Sequence, residues 1–333
     1  MISLLHINKE YRIAKRDTGL KAAAKALFHK DYHTVHALQD ISFNISDGEM
    51  VGYIGPNGAG KSSTIKIMSG ILTPDSGSCI INGRTPWKDR VSHVREIGVV
   101  FGQRSQLWWD VPIEDSFMLL KDIYNIDVSQ YYKRIRELSE LLDIGDLIKI
   151  PARQLSLGQR MRCEIGASLL HNPKTLFLDE PTIGLDAVSK IAVRNFISDI
   201  NKEYKTTIIL TTHDMQDIEA ITNRILFIGK GRILLDGTMD MLKQRYSQNK
   251  KIEVYYDGVI SLAQLLEKFE LEMKGIQIVQ HIQGRLRFTV NTEVTTVSKA
   301  ISFLCSKLNI IDISILGTSA EEIVLSLYKE YEV

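Results

Sequence analysis

The stretch Gly55-Pro56-Asn57-Gly58-Ala59-Gly60-Lys61-Ser62-Ser63 decides the fold of this chain. It has the spacing G-x-x-x-x-G-K-S, follows the apolar run Val51 to Ile54, and precedes a segment of helical character. Because glycine has no Cβ, the backbone N–H groups of such a loop can converge on phosphate oxygens, and the N-terminus of the following helix adds partial positive charge. The motif therefore predicts a phosphate-binding loop, and we expect the nucleotide contacts to come from Gly55, Asn57, Gly58, Gly60, Lys61, Ser62 and Ser63.

Two acidic residues accompany this loop at the end of a second apolar strand. In such a loop the Lys61 ammonium serves the β and γ phosphates, and the Ser62 hydroxyl is a ligand for Mg²⁺. The run Thr175 to Leu178 leads directly into Asp179 and Glu180. Ligands of open parallel sheets bind at the carboxyl ends of the strands. Asp179 is therefore predicted as a metal ligand and Glu180 as the general base that orients the attacking water.

Two further strands end in polar side chains. Ile97 to Phe101 leads to Gln103, whose amide suits Mg²⁺ or water, and Thr206 to Thr212 leads to His213, whose imidazole suits the γ phosphate. For either residue alone, a hydrogen-bonded polar side chain at a strand end is an equally good interpretation. Together with Asp179 and Glu180, they indicate four strand ends that converge on one site.

The composition is that of a globular protein with two units. The chain has 333 residues, 44% of them hydrophobic and 24% charged, with 41 Lys and Arg against 40 Asp and Glu for a net charge of +1. This balance argues against a nucleic-acid partner. An apolar run long enough to span a bilayer, a secretory signal and a disulfide pattern among Cys79, Cys163 and Cys305 are all missing. We expect a cytoplasmic protein.

The first unit, residues 1–245, has the pattern of an α/β domain. Apolar runs alternate with segments of helical period, which is typical of a parallel sheet covered by helices. The sequence SQYYKRIRELSELLD over residues 129–143 predicts a helix of an inserted helical subdomain. We expect Ser129 to cap this helix, and one apolar face to be formed by Tyr132, Ile135, Leu138 and Leu142.

A polar stretch from Tyr246 to Lys251 separates this unit from a second one, residues 251–333. The pattern there predicts β, α, β, β, α, β and a last helix, which is the order of a small ferredoxin-like α+β unit. The predicted strands are Lys251 to Tyr256, Ile276 to His281, Arg285 to Val290 and Ile310 to Leu316, and the predicted helices are Ser261 to Phe269, Val294 to Leu308 and Ala320 to Tyr331.

Taken together, the motifs of residues 1–245 resemble the nucleotide-binding subunit of an ABC transporter. The resemblance rests on GPNGAGKSS at 55–63, Gln103, LSLGQ at 155–159, LFLDEP at 176–181, GLD at 184–186 and TTHD at 211–214. LSLGQ discriminates this family from other P-loop ATPases. The resemblance implies a P-loop ATPase fold with a helical subdomain at about 104–165, and ATP with Mg²⁺ as ligands.

The resemblance also implies a head-to-tail dimer, with a second copy or a closely related ATPase subunit. ATP would lie between the P-loop of one copy and the signature of the other, contributed by Ser156, Gly158 and Gln159. Asp186 would couple the two sites, and Gln103, Glu180 and His213 would be catalytic. Leu157 departs from the usual LSGGQ, although the phosphate-facing positions are kept. Tyr11 is the expected adenine-stacking residue, with a structural role for Tyr11 or stacking by Tyr32 as alternatives.

Three features bear on the kind of ABC protein. Residues 12–35 carry six Lys and Arg against two Asp, and their apolar stripe suits a membrane surface, a partner helix, or a surface helix packed on its own domain. Adjacent Trp108 and Trp109 fit either a permease interface or the core of the helical subdomain. Residues 12–35 and the tail Ser319 to Tyr331 resemble segments found in exporter ATPases that pair with a separate permease.

The sequence thus predicts the ATP-hydrolysing subunit of a membrane exporter, bound peripherally to integral-membrane permease subunits at the inner face of the membrane. The alternative is a soluble ABC-type ATPase that acts on nucleic acid or ribosomes. Such relatives usually fuse two ATPase cores or carry long coiled coils, and neither feature is found in the sequence. The substrate stays open because the membrane subunit mainly selects it, and residues 251–333 suit dimer support or regulation.

Overall fold

A computed structural model describes residues 1–14, 32–102, 104–246, 249–258, 274–317 and 319–332. Within these residues the chain forms two compact units, Met1–Gly237 and Thr238–Glu332. The predicted boundary lies later, in the polar stretch after residue 245. The structure groups helix Met239–Tyr246 with the second unit, where it packs on the last helix of the chain.

The first unit is built on a central sheet with the strand order β5-β6-β7-β3-β8-β9. The pairs β5/β6, β6/β7, β7/β3 and β3/β8 are parallel, as the apolar runs predict. The strands are β3 (Met50–Ile54), β5 (Ile97–Phe101), β6 (Thr175–Asp179), β7 (Thr207–Thr211), β8 (Arg224–Gly229) and β9 (Arg232–Thr238). The predicted α/β fold class is confirmed.

Helices accompany the sheet and form the predicted helical region. Those that follow or precede sheet strands are α1 (Lys61–Met68), α2 (Arg90–Val94), α6 (Ala187–Tyr204) and α7 (Met215–Ile221). The helical region contains α3 (Ile113–Tyr124), α4 (Val128–Leu141), a short 3₁₀ helix (Ala152–Gln154) and α5 (Leu157–Leu169). The carboxyl ends of β3, β6 and β7 lead into the loops that carry the predicted site residues.

An antiparallel sheet with the order β2-β1-β4 completes the first unit. It consists of β1 (Ile2–Ala14), β2 (Tyr32–Ile45) and β4 (Ser76–Ile81). The ends of the basic connection 12–35 belong to β1 and β2, where Ala14 pairs with Tyr32. The predicted amphipathic helix of this connection lies outside the described residues.

Helix α4 corrects two predictions about its cap and its buried face. The N-cap is Asp127, whose carboxylate accepts hydrogen bonds from the backbone N–H groups of Ser129 and Gln130, so Ser129 lies inside the first turn. The aspartate reaches these N–H groups from outside the helix, as an N-cap must. The helix buries Tyr131 and leaves Tyr132 60% exposed, whereas Leu138 and Leu142 are buried as predicted.

The second unit contains the predicted ferredoxin-like sheet. Its antiparallel strands have the order β11-β12-β10-β13, and α9 crosses between β12 and β13. The elements are α8 (Met239–Tyr246), β10 (Asn249–Asp257), β11 (Ile276–Ile282), β12 (Arg285–Asn291), α9 (Val297–Lys307), β13 (Asn309–Leu316) and α10 (Ala320–Glu330). The predicted helix Ser261 to Phe269 lies outside the described residues.

The described part of the chain contains no helix that is both long enough and apolar enough to pass through a bilayer.

Candidate active site

The loop between β3 and α1 forms the base of the site. Gly60 has φ of +113°, and a Cβ at this position would come within 2.7 Å of the Ala37 carbonyl oxygen. Only glycine fits there without strain. Lys61 begins α1 and is buried, and its Nζ donates to the carbonyl oxygens of Gly55 at 2.6 Å and Pro56 at 3.2 Å. The ammonium is thus held against the inside of the loop.

The charge on Lys61 is balanced by the two acids at the end of β6. Burial lowers the pKa of Lys61, and the negative charges of Glu180 and Asp179 act in the opposite direction. A positive amine beside two carboxylates and a glycine loop is a chemically suitable place for phosphate and a divalent cation.

Asp179 and Glu180 are positioned by the neighbouring strand β7. Thr211 Oγ1 donates to Asp179 Oδ1 at 2.5 Å, and the Glu180 N–H donates to the Thr211 carbonyl oxygen at 3.0 Å. Glu180 has φ of +58°, a left-handed conformation that non-glycine residues seldom adopt. Such strain persists only where the surroundings fix the backbone. Sequence reasoning missed Thr211 as a positioning residue, although it lies within the TTHD motif.

The predicted base and the predicted γ-phosphate ligand lie in direct contact. His213 Nδ1 is 2.7 Å from Glu180 Oε2. Both side chains face the same cavity as Lys61, so the structure brings these three predicted residues together. Gln103, the fourth strand-end residue, lies outside the described residues.

The cavity has a volume of about 540 Å³, within the range of ligand sites. Tyr11 lines it, and the Tyr11 hydroxyl lies 3.4 Å from Ser63 Oγ, whereas Tyr32 is not among its lining residues. The sequence motifs did not predict that Val35, His36 and Ala37 of β2 line the cavity, because a loop motif does not show which strand packs beside it. The described residues that line the cavity are Tyr11, Val35, His36, Ala37, Pro56, Asn57, Gly58, Gly60, Lys61, Ser62, Ser63, Glu180, Ile183 and His213.

The donor chemistry fits Mg²⁺. Ser62 offers a hydroxyl in the cavity wall, and Asp179 offers a carboxylate whose Oδ1 is already oriented by Thr211. Hard oxygen donors from one or two protein groups, completed by phosphate oxygens and water, are what Mg²⁺ takes in nucleotide sites.

The signature stretch begins a separate helix. Ser156 is the N-cap of α5 and forms a capping box with Gln159, in which each side chain accepts from the other's backbone N–H at 3.2 and 2.9 Å. A Cβ on Gly158 would lie 2.5 Å from Ser189 Oγ. Ser189 is in turn held by Asp186, the N-cap of α6, through bonds of 2.9 and 2.8 Å. The signature and the Asp186 loop therefore pack on each other within one chain.

The signature does not reach the cavity of its own chain. Among the described residues that line this cavity, none comes from 155–159. The chain therefore contains both the phosphate loop and the signature, but the two lie at different places on it.

Next to the signature helix lies an exposed aromatic pair. Trp108 and Trp109 are 59% and 51% exposed, so the interpretation that they form the core of the helical subdomain is wrong. The Arg160 guanidinium lies 5.3 Å from the Trp109 ring centroid. Behind them, the buried Glu164 of α5 accepts from the Ser105 hydroxyl and from the Gln106 N–H at 3.2 Å. Burial raises the pKa of Glu164, and these hydrogen bonds oppose the shift.

Comparison with known proteins gives the family. The profile of the ABC transporter family matches residues 38–183. The linearmycin resistance ATP-binding protein LnrL of Bacillus subtilis (strain 168) is 31% identical over 69% of this chain and 73% of its own length. The chain belongs to the ABC transporter family. Its ATP-binding domain is an ATPase that uses ATP with Mg²⁺.

Other relatives of this ABC protein differ in length and name. The methionine import ATP-binding protein MetN of Bacillus subtilis (strain 168) is 34% identical over 68% of this chain and 67% of its own length. ABC transporter A family member 8 of Dictyostelium discoideum is 29% identical over 80% of this chain, which spans only 32% of that protein. A dimeric bacterial ABC transporter cassette has the same fold, with a TM-score of 0.59, 25% identity, and coverage of 72% of this chain and 99% of that one.

Proposed function

We propose that this ABC protein is the ATPase subunit of a membrane exporter, in which ATP binding and hydrolysis in a head-to-tail dimer drive transport by a separate permease. The observation that carries the proposal is the division of the ATP site within one chain. The described lining of the cavity contains the P-loop and the Glu180–His213 pair but no residue of 155–159. A second copy, turned head to tail, supplies the missing signature.

Each site residue has a proposed task. Lys61 binds phosphate charge, and the other loop residues, Gly55, Asn57, Gly58, Gly60, Ser62 and Ser63, surround the phosphates. Ser62, Asp179 and Gln103 hold Mg²⁺, which supplies charge neutralisation at the phosphates when bound. Glu180 accepts the proton of the attacking water, and His213 contacts the γ phosphate and orients Glu180 at 2.7 Å.

The remaining assignments concern the base and the dimer. Tyr11 stacks on adenine, supported by its place in the cavity wall. Ser156, Gly158 and Gln159 serve the γ phosphate in the partner copy, where the N-terminus of α5 adds partial positive charge. Asp186 links the two sites, supported by its bond to Ser189 beneath Gly158.

The permease is proposed to dock on the helical region. Trp108 and Trp109 are large, exposed and adjacent to the signature helix, and exposed tryptophans are frequent interface anchors. Residues 1–245 are proposed as the ATPase domain and 251–333 as the accessory domain for dimer support or regulation. The basic connection 12–35 is proposed to contact the membrane surface or the permease.

Two observations favour export over import. One relative is named for resistance to linearmycin, and residues 12–35 and Ser319 to Tyr331 resemble segments of exporter ATPases. Another relative is named for methionine import, so the direction needs its own test. The test compares cells that produce the wild-type chain with cells that produce Glu180→Gln. Untargeted mass spectrometry of cells and medium then follows every soluble compound.

An exporter predicts at least one compound that accumulates inside the Glu180→Gln cells and falls in their medium. The reverse pattern would show an importer. In parallel, the tagged chain is purified from detergent-extracted membranes. A multi-span membrane protein in stoichiometric amount supports the proposal, and its loss in Trp108→Ala with Trp109→Ala supports the docking site. Recovery with ribosomal proteins only would establish the soluble alternative.

A further inference from the structure

A fully buried carboxylate, Asp217 of α7, lies behind the Glu180–His213 pair without lining the cavity. Asp217 Oδ2 accepts from the hydroxyl of Thr182 and from that of Thr212 at 3.0 Å. Asp217 Oδ1 accepts from Arg194 Nε at 2.5 Å. Three donors from three segments therefore converge on one side chain.

The first two donors sit directly beside the proposed catalytic residues. Thr182 follows Glu180 and Pro181, and Thr212 immediately precedes His213. The Thr212 hydroxyl also accepts from the Asp214 N–H at 3.0 Å. The same hydroxyl therefore donates one hydrogen bond and accepts another. The carboxylate thus connects the loop after β6 with the loop after β7 through the side-chain hydroxyls of Thr182 and Thr212.

The third donor brings in helix α6. The Arg194 guanidinium lies between two carboxylates, with Nε on Asp217 and Nη2 at 3.6 Å from Asp214. Lys190, one turn earlier on α6, donates to the same Asp214 at 2.6 Å. Because α6 begins at Asp186, the network reaches from the Asp186 loop to both catalytic loops.

We propose that Asp217 is a positioning residue for ATP hydrolysis, which holds the Glu180 and His213 loops in register through Thr182, Thr212 and Arg194. The proposal rests on the function proposed above for Glu180 and His213. A charged acceptor buried among three donors has little freedom, since any displacement leaves donors unpaired in a region without water. The 2.7 Å contact between Glu180 and His213 then follows from the fixed positions of their loops.

The test measures phosphate release and ATP dependence for Asp217→Asn and for the milder Thr182→Val, which keeps the carboxylate. A misplaced catalytic pair costs roughly 10- to 100-fold in kcat, while the KM for ATP stays within about twofold because the phosphate loop is untouched. Thr222→Val is the matched control. Thr222 is the buried C-cap residue of α7, its hydroxyl donates to the Ile218 carbonyl at 2.9 Å, and the kcat of this variant should equal that of the wild type.

A double-mutant cycle separates positioning from a general structural role. If Asp217 acts through His213, Asp217→Asn in a His213→Ala background lowers kcat by less than about twofold. Equal losses in both backgrounds, a raised KM with unchanged kcat, or wild-type turnover of folded Asp217→Asn and Thr182→Val would each overturn the proposal. Glu180→Gln is measured alongside. Normal turnover of that variant would instead overturn the catalytic assignment on which the inference rests.

Discussion

Single residues of the site are held in place by neighbours that do no chemistry. Lys61 keeps its ammonium against two loop carbonyls, and Asp179 keeps one carboxylate oxygen on Thr211. Burial lowers the pKa of Lys61, and the negative charges of Glu180 and Asp179 oppose this shift and so favour the charged ammonium. Preorganised charges of this kind require little rearrangement during the reaction.

Glu180→Gln tests the role of the base. The amide keeps the shape of the side chain but cannot accept a proton, so we expect turnover to fall roughly 100-fold or more while ATP still binds. Phosphate release and binding of a fluorescent ATP analogue measure the two properties. Glu140→Gln, on the exposed surface of α4, is the control. Turnover near the wild-type rate would remove Glu180 from the mechanism.

Much of the site at this scale follows from the sequence. Apolar runs with sharp ends specify where Asp179, Glu180 and His213 leave the sheet, and parallel pairing then brings them together. The residues that hold these side chains in place cannot be predicted from the sequence in the same way. Asp217 looks like an ordinary acid near a helix start, and only the packing of three segments around it shows why it is buried.

Among the elements, helix α5 has in its first turn a glycine with no room for a side chain. Gly158→Ala places a methyl group against Ser189, which Asp186 holds, so we expect the helix start to shift. ATPase turnover should fall about tenfold, because a small displacement of the signature relative to the phosphates lowers the rate strongly. ATP binding to the isolated subunit should be unchanged, because its phosphate loop is intact.

Ser189→Gly removes both contacting side-chain atoms, so the double variant Gly158→Ala with Ser189→Gly should recover turnover. Steady-state ATPase assays compare the two single variants with the double one. A defect that persists in the double variant would show that the close approach to Ser189 is not the reason for glycine at this position.

The segment that follows α5 introduces a pH dependence. His171 stacks on Tyr124 with ring centroids 3.9 Å apart, and its Nε2 bonds to the Ile97 carbonyl at 2.8 Å. Burial lowers the pKa of His171 to about 4. Between about pH 6.5 and 4 the unfolded chain therefore takes up a proton that the folded chain does not, and stability falls as the pH falls.

His171→Gln removes this titration. We expect the wild type to lose roughly 2 to 3 kcal/mol more than His171→Gln between pH 7.5 and 4.5, measured by urea unfolding. His33→Gln, which changes an exposed histidine of β2, should keep the wild-type slope. Parallel pH profiles for His171→Gln and the wild type would contradict the explanation.

Helix ends and faces were harder to predict than helices themselves. The periodicity of residues 129–143 identifies α4, yet both Asp127 and Ser129 are good cap residues, and the choice depends on the chain's entry direction. One residue corresponds to about 100° around a helix, so a small error of phase exchanged Tyr131 for Tyr132. Neighbouring packing decides that phase, and the sequence pattern does not contain it.

For the whole molecule, the proposed division of the ATP site between two copies makes a complementation experiment possible. Lys61→Ala disables the phosphate loop and Ser156→Arg disables the signature, and each should abolish turnover when present in both copies. In a head-to-tail pair formed from one of each, one site combines an intact loop with an intact signature. A mixture should regain about a quarter of wild-type activity, since half of random pairs carry one good site of two.

Steady-state phosphate release across a titration of one variant into the other measures this recovery, and Lys61→Ala mixed with itself is the blank. A mixture that stays inactive would argue that both halves act within one chain. At this scale the sequence pattern places the division between two units after residue 245, whereas the described chain divides between Gly237 and Thr238 because α8 packs on α10.

The carboxylate of Glu164 has a mechanical consequence. It fastens the segment Ser105–Gln106, which leads to the exposed tryptophans, to the side of α5, whose first residues are the signature. Helix α5 has 13 residues and is thus about 20 Å long. Glu164 lies seven residues after Leu157, about 10 Å along this helix, so a tilt of ~10° about the fastened segment would move the first turn of α5 by ~2 Å, which is enough to make or break a hydrogen bond. Because α5 is continuous from Leu157 to Glu164, a displacement of the segment Ser105–Gln106 would be transmitted to the signature.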